Sequence, residues 1–375
     1  MNNIQREFQI TAVTKRNLPL FVDFPSKMYK DDPFYVPYMR NSTIADLKRL
    51  IFIEKSYFGL MAVDNRGHVL AKILLTVGKN KQLDTDHCGY FCMYDCVDDL
   101  SVSRAILSAT EDSLQQMGAE YMCGPFTLYD PDNRRGVLVK GFDSSPMIFT
   151  SYNFPYYDNQ LTDIGLIKQT DAYMYTVVLT DDKVRRLERL RAFAEKRSGL
   201  KIEPVNFDNI ERDILDLHEV MESASTHMNY QDVLSIDEMK KIFIQWKKML
   251  VPELILFARQ RTDDRPVGFV LCLPDYFPLI REMDGRMNIR GIITYLRNKN
   301  RFTGIRGVLQ YIIPEYQGSG LLALLYAGIF DEVQKREIRR IELGTILENN
   351  VQSFSGIENF GGTLEKIYRL YVKRL

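Results

Sequence analysis

The sequence predicts an α/β (α+β) protein made of two similar halves in tandem, and three observations point to it. A helix followed by an antiparallel hairpin occurs twice. The hairpins are at residues 57–77, turning at Asp64-Asn65-Arg66-Gly67, and at 254–273, turning at Thr262-Asp263-Asp264, with the same spacing and polarity. The chain has 375 residues, 45% hydrophobic and 26% charged, enough apolar material for a core in each half. Residues 308–326 read as buried strand, glycine turn and helix, a unit that distinguishes the second half.

Composition excludes several function classes. Lys+Arg and Asp+Glu are both 49, so the formal net charge is zero and nothing global calls for nucleic acid. Cys88, Cys92 and Cys96 recur every fourth residue. With Tyr90 and Tyr94 they are expected on one face of a strand, not around a metal, since no Cys-x-x-Cys pair or fourth ligand accompanies them. Loosely spaced cysteines suit a reducing cytoplasm. The first residues have no apolar stretch like that of a signal peptide, and no apolar run is long enough to span a bilayer. A cytoplasmic location is expected, and peripheral contact with the inner membrane is compatible with it.

In chain order, residues 7–13 alternate like a first strand and 17–29 read as a helix broken at Asp31-Asp32-Pro33. A short helix over 47–53 precedes the first hairpin. A strand over 89–95, an amphipathic helix over 101–117 stopped by Gly118, and a short strand at 121–125 follow. Residues 125–160 are loop-rich and aromatic, with Phe126, Tyr129, Phe142, Phe149, Tyr152, Phe154, Tyr156 and Tyr157. These rings either plug the space between the halves or line a ligand cleft. A strand over 173–179 closes the half, and the charged stretch 181–198 reads as a solvated helical connector.

The order then restarts: strand 201–205, helix 210–225, and a helix opened by the capping box Ser235-Ile236-Asp237-Glu238. After the second hairpin comes an insertion. Residues 280–301 mix Met283, Met287, Ile289, Ile292, Ile293, Tyr295 and Leu296 with Arg281, Arg286, Arg290, Arg297, Lys299 and Arg301. One reading is an amphipathic helix over a lipophilic substrate or on a membrane surface. The other is an ordinary surface helix packed on the sheet with a basic outer face. A strand over 340–346, a helix over 351–359 stopped at Gly361-Gly362, and a last strand over 366–373 end the chain.

In the 308–326 unit, Pro314 cannot donate to a ladder, so the strand ends there. Gly318 and Gly320 allow a crowded or left-handed turn. The helix that follows opens with unpaired N–H groups and the positive end of its dipole, a cradle for phosphate.

The run Pro-Glu-Tyr-Gln-Gly-Ser-Gly-Leu-Leu-Ala-Leu-Leu-Tyr resembles the coenzyme A pyrophosphate motif of GNAT-type N-acyltransferases, Q/R-x-x-G-x-G/A, with Gln317 and Gly320 on its pattern. Glu348-Asn349-Asn350, a helix, Gly361-Gly362 and Tyr368-Arg369-Leu370-Tyr371 resemble the family's later segment. The opening Phe-Pro-Ser-Lys-Met-Tyr-Lys-Asp-Asp-Pro-Phe-Tyr-Val-Pro is similar to bacterial two-domain GNAT-like proteins, a broad type that includes bacterial ceramide synthases.

The resemblance implies two GNAT-like domains, each a mixed, mostly antiparallel twisted sheet flanked by helices. Residues 1–180 would be a degenerate domain lacking the coenzyme A loop, 181–200 a helical connector, and 201–375 the domain with the loop. It implies that Ile312, Ile313, Gln317, Gly318, Ser319, Gly320 and Leu321 hold acetyl-coenzyme A or a longer acyl-coenzyme A, with Asn350 orienting the acyl carrier or capping the next helix. Two departures stand out: the motif's last glycine or alanine falls on Leu322, and the helical tyrosine that protonates the leaving thiolate falls near Ile357. In the first half the loop position reads Val97-Asp98-Asp99-Leu100-Ser101, whose carboxylates would repel a pyrophosphate.

An amine must lose a proton to attack a thioester, which calls for a carboxylate near the strand ends. Glu342 and Glu348 are the candidate bases. Tyr368 is the candidate acid, with Tyr326 and Tyr371 as further hydroxyls. The expected function is acyl-coenzyme-A-dependent N-acyl transfer to an amine, of lipophilic or sphingoid type by the aromatic loops and the insertion. The alternative is a catalytically silent coenzyme A- or ligand-binding module. Aminoacyl transfer from a charged tRNA would want a basic groove, which zero net charge opposes.

Overall fold

The computed structural model describes residues 7–128, 134–178, 180, 182, 183, 185, 188, 189, 199–225, 233–247, 249–359 and 361–375. Tyr129 and most of the expected connector 181–200 lie outside them. Thirteen described strands form one continuous sheet. The first half supplies β1 (Phe8–Ala12), β2 (Phe58–Asp64), β3 (Val69–Asn80), β4 (Thr85–Cys96), β5 (Tyr121–Gly124), β6 (Val137–Lys140) and β7 (Ile167–Val177). The second supplies β8 (Leu200–Pro204), β9 (Ile255–Gln260), β10 (Pro266–Pro274), β11 (Gly304–Ile312), β12 (Arg340–Leu347) and β13 (Thr363–Arg374).

Spatial order is β1-β2-β3-β4-β5-β13-β7-β12-β11-β10-β9-β8, with β6 also on β13. Neighbours are antiparallel except β4–β5 and β11–β12, which are parallel and joined by the helices Leu100–Gln116 and Leu321–Lys335. The last strands of the two halves are exchanged. β13 lies between β5 and β7 of the first half, and β7 pairs with β12 of the second. The two halves of the chain therefore share one sheet. Tyr371, near the C-terminus, is fully buried in the first half's core with Phe91, Ile106 and Tyr157.

Helix ends follow local chemistry. Ser235 and Glu238 form the expected capping box, and Gly118, at φ 82°, ends the helix Leu100–Gln116. The expected helix at 47–53 begins earlier, as Arg40–Lys48, and runs into a π-helical turn at Arg49–Ile53. β6 falls in the stretch read as loop; four residues among aromatics gave too little alternation to show.

The cysteine face requires a correction. Cys88 and Cys92 keep their parity, but Met93 adopts φ 50° and three residues of β4 oppose two of β3, Leu74 facing Cys92 and Lys72 facing Asp95. This bulge reverses the alternation, so Cys92 joins Leu74 in one apolar cluster while Tyr94 and Cys96 join Phe91 in another. The bulge also sets Asp95 opposite the fully buried Lys72, at 3.1 Å, with Tyr29 and Tyr157 each donating to Asp95 at 3.3 Å. Asp95→Ala, which strands the ammonium over the Phe21 ring, is expected to cost about 3–5 kcal/mol, whereas Lys72→Met with Asp95→Leu costs much less. Urea unfolding of the two variants checks this.

Most of the aromatic stretch serves as packing. Phe154 stacks on Tyr29 at 4.6 Å, and Phe149 stacks on Trp246 of the second half at 4.9 Å. No helix among the described residues is long and apolar enough to cross a membrane.

Candidate active site

The geometry begins where two parallel strands part. β11 and β12 pair only from Gly304–Arg340 to Gly307–Leu343. β10 then carries β11 away: Leu271 faces Leu309 while Cys272 faces Gly307, leaving Val308 as an extra residue. β12 turns toward β7, with its own register shift between Leu343 and Ile346. From Val308 to Ile312 the inner edge of β11 has no partner strand among the described residues, so its backbone groups on that edge lie outside any ladder. Tyr326, on the helix Leu321–Lys335, donates to the Gln310 amide. Its hydroxyl is 3.7 Å from where a Cβ on Gly307 would stand, so it borders the fork. Burial holds this phenol well above its ordinary range.

At the far end of β11 the glycine turn has the expected form. Gly318 and Gly320 have φ of 73° and 86°, and a Cβ on either would meet nothing within 4 Å. Their requirement is thus backbone conformation in an open concavity. The Gln317 amide donates to the Ile312 carbonyl at 3.2 Å. The Ser319 hydroxyl donates to Tyr316 at 2.6 Å and accepts from the Leu321 N–H at 3.3 Å. Ile313 is tied to the Val267 carbonyl at 3.0 Å, which fixes the loop's root. In the first half, Asp99 accepts from both the N–H and the hydroxyl of Ser101, at 2.9 and 2.7 Å. A carboxylate of the chain itself occupies that helix start.

At the near end of the fork is a buried polar cluster built by both halves. Arg340 donates to Glu342, to Glu365 at 2.9 Å and to the Ser145 carbonyl at 3.2 Å. Glu365 also accepts from Ser144 at 2.6 Å and from Thr176. The fully buried Lys366 donates to the carbonyls of Gly141 and Ser144 at 2.8 and 3.0 Å. Arg306, opposite Glu342 in the strand pairing, donates to the carbonyls of Gly344 and Ile148. Asp275 accepts the N–H groups of Phe277 and Ile148 at 3.1 and 3.3 Å.

Glu342 is fully buried and its Oε2 has no hydrogen-bond partner among the described residues. Burial pushes its carboxyl up to about 7, offset by Arg340 and reinforced by Glu365 and Asp275. Burial likewise raises Asp275 to about 6. Asp275 and Arg340 line a cavity of about 450 Å³ between the halves, whose walls include Phe34, Ser144, Phe277 and Arg281.

The residues singled out in the sequence distribute over these places. Glu342 and Tyr368 belong to the buried cluster. The Tyr368 hydroxyl has no partner among the described residues, and burial, with the Glu342 charge, raises its pKa. Glu348 lies apart, paired with Lys168 at 2.6 Å and accepting the Asp171 N–H at 3.1 Å. Asn350 accepts the Ser353 N–H at 3.2 Å, the capping geometry. Arg369 and Tyr371 both reach Asp158, on the opposite side of β13 from Tyr368. Ile357 is buried among apolar neighbours. Sequence reasoning missed Asp275, Arg306, Arg340, Glu365 and Lys366. Each is an unremarkable charge on a strand or strand end until the exchange of β13 assembles them. The signal available was their density: Arg340, Glu342 and Lys366 fall on expected strands, with Glu365 next to the last of them.

No family model matches the chain. Over 389 aligned residues it is 26% identical to protein YghO of Escherichia coli strain K12, covering 97% of this chain and 95% of that one. Over 383 residues it is 22% identical to the bacterial ceramide synthase of Caulobacter vibrioides, covering 98% and 97%. It superposes on a tandem GNAT protein from the clavulanic acid biosynthesis pathway with a TM-score of 0.58 and 10% identity, covering 98% of both chains. It also superposes on the GCN5-related glucosamine N-acetyltransferase region of a fungal multi-domain GH3 β-N-acetylglucosaminidase, with a TM-score of 0.60 and 11% identity. That match covers 99% of this chain and spans 38% of the longer one. At such identities the structural likeness concerns the fold.

Proposed function

We propose, from the premise that this chain is a tandem GNAT-type protein, that it transfers an acyl group from acyl-coenzyme A to an amine. The observation that carries the reading is the forked β11–β12 pair, with an open glycine cradle at one end and, at the other, the buried Glu342 carboxylate, paired with Arg340 through one oxygen and without a hydrogen-bond partner among the described residues on the other. Gly307 to Ile312 spans about 17 Å at about 3.3 Å per residue, comparable to an extended pantetheine arm. With the pyrophosphate on the N–H groups after Gly318, the arm would lie along the free edge of β11, and its thioester would arrive at the fork. There a backbone N–H would meet the developing oxyanion.

The acceptor would enter the cavity between the halves, and Glu342 would take the proton from its ammonium. The Tyr326 hydroxyl, at the fork, supports a role in returning a proton to the thiolate; Tyr368 would complete the hydroxyls around Glu342. Glu348 and Asn350 are better read as an ion pair and a cap. In this reading the first half binds no coenzyme A, because Asp99 already occupies its helix start, and the half shapes the acceptor cavity. The acyl group would be acetyl or longer. A lipophilic acceptor, of the kind the ceramide synthase relative's name implies, fits the apolar walls Phe34 and Phe277. Five free cysteines suit a reducing cytoplasm, where acyl-coenzyme A is available.

The test is calorimetric titration with acetyl- and palmitoyl-coenzyme A. The wild type is expected to bind at least one of them, and Gly320→Glu is expected to bind tenfold or more weakly, because it adds a charge and strain at a left-handed position. Equal binding by wild type and variant would remove the cradle from the proposal. The buried Ile357 in place of a tyrosine favours a second reading, a binding module without chemistry. Binding with no acyl transfer to any of a panel of amines would select it.

A further inference from the structure

The insertion between β10 and β11 carries a helix mounted inside out. Over Ile289–Asn298 the apolar residues Ile289, Ile292, Ile293 and Leu296 form one stripe at i, i+3, i+4 and i+7. A soluble protein turns such a stripe inward. Here it faces out: Ile289 is 80% exposed and Leu296 61%, with Ile292, Ile293 and the preceding Met287 exposed as well. The side that meets the protein holds the buried Gly291, the half-buried Tyr295 and Asn298, which donates to Glu282 at 3.3 Å. The alternative of a helix packed by its apolar face on the sheet is therefore not what the chain does.

The stripe is flanked by cations. Arg286, Arg290, Arg297, Lys299 and Arg301 fall within sixteen residues, and residues 285–314 contain no Asp or Glu, in a chain whose formal net charge is zero. Arg290, Arg297 and Arg301 pair with no carboxylate among the described residues, while Arg286 reaches Asp284 at 3.5 Å. Ten residues make a helix about 15 Å long and about 10 Å across. Its outer face is far smaller than the roughly 800 Å² per side that a stable protein partner or a second copy needs. A bilayer requires no matching surface, because lipid closes around inserted side chains and anionic headgroups meet the flanking arginines.

We propose that the helix Ile289–Asn298 docks on an anionic bilayer. The helix inserts Ile289, Ile293 and Leu296 below the headgroups and lays Arg290 and Arg297 among the phosphates. It rests on the helix Phe277–Glu282, whose Phe277, Pro278 and Arg281 line the inter-half cavity, so docking brings that cavity to the membrane surface. The inference does not depend on acyl transfer.

The experiment is flotation of the full chain with phosphatidylcholine vesicles, with and without phosphatidylglycerol. Wild type is expected to float with the anionic vesicles and to be released by salt. Ile289→Asp/Ile293→Asp and Arg290→Glu/Arg297→Glu are each expected to lower binding about tenfold or more, with unchanged far-UV circular dichroism and coenzyme A titration. Wild type that ignores anionic vesicles, or variants that bind as well as wild type, would overturn the proposal. So would a dimer in solution that the variants convert to monomer, because the stripe would then belong to a second copy.

Discussion

Glu342→Gln is expected to lower the rate of acyl transfer by about 10²–10⁴-fold, the range for loss of a general base, with acyl-coenzyme A affinity unchanged. The substitution keeps the shape and an oxygen to accept from Arg340, while removing proton acceptance and the carboxylate charge. Glu342 suits the role because burial and two neighbouring carboxylates raise it to about 7, while Arg340 keeps its anionic form accessible. The rate in the wild type should therefore rise with pH toward a plateau above about 7. Asp275, raised to about 6 and felt by Glu342, makes the limb a two-step titration of the pair.

The same shift sets a stability trend. The folded pKa of Glu342 lies above its ordinary 4.5, so the folded state holds the proton more tightly. Its contribution is fully present below about 4.5 and is lost as pH rises through about 7, a change of about 3 kcal/mol at 1.36 kcal/mol per unit. Glu342→Gln should flatten that decline in urea unfolding measured from pH 5 to 8. A variant with near wild-type turnover and an unchanged pH profile would exclude Glu342 as the base.

The glycine turn was legible because its information is local. Pro314, Gly318 and Gly320 each impose a backbone condition within a few residues, and the fold met all three. The repeated helix-and-hairpin order was legible for the same reason. The acid cluster was not, because its parts come from loop 141–146, β7, β10, β11, β12 and β13. Glu342 could be named from its strand, but nothing adjacent to it in sequence shows that Glu365 and Asp275 surround it. The bulge at Met93 was hidden too. A single residue in the left-handed region reversed a face that parity alone had assigned. The partner of Glu348 was hidden as well, because a carboxylate after a strand looks the same in sequence whether or not Lys168 waits beside it.

Residues 7–199 expressed alone are expected not to fold cooperatively, and mixing with residues 200–375 is expected to restore structure. β5 and β7 are not neighbours; β13 lies between them and bonds to both. Without it the two strands would be separated by a gap of about 10 Å, two strand spacings, each with an unpaired edge. The first half's core would also lose Tyr371, and Leu138, Ala172 and Met174 would lose Tyr368. Tyr371→Ala in the full chain should cost about 3–5 kcal/mol, as for other buried aromatics, although it is four residues from the C-terminus. The exchange also predicts one transition for the whole chain. Trp246, the single tryptophan, reports on the second half, where it stacks on Phe149 of the first. Its fluorescence and the far-UV circular dichroism should therefore melt together. If residues 7–199 melted alone as sharply and at the same temperature as the intact chain, the exchanged strand would not be what closes the first half. The shared cluster of Ser144, Thr176, Glu342 and Glu365 would then need another source of rigidity.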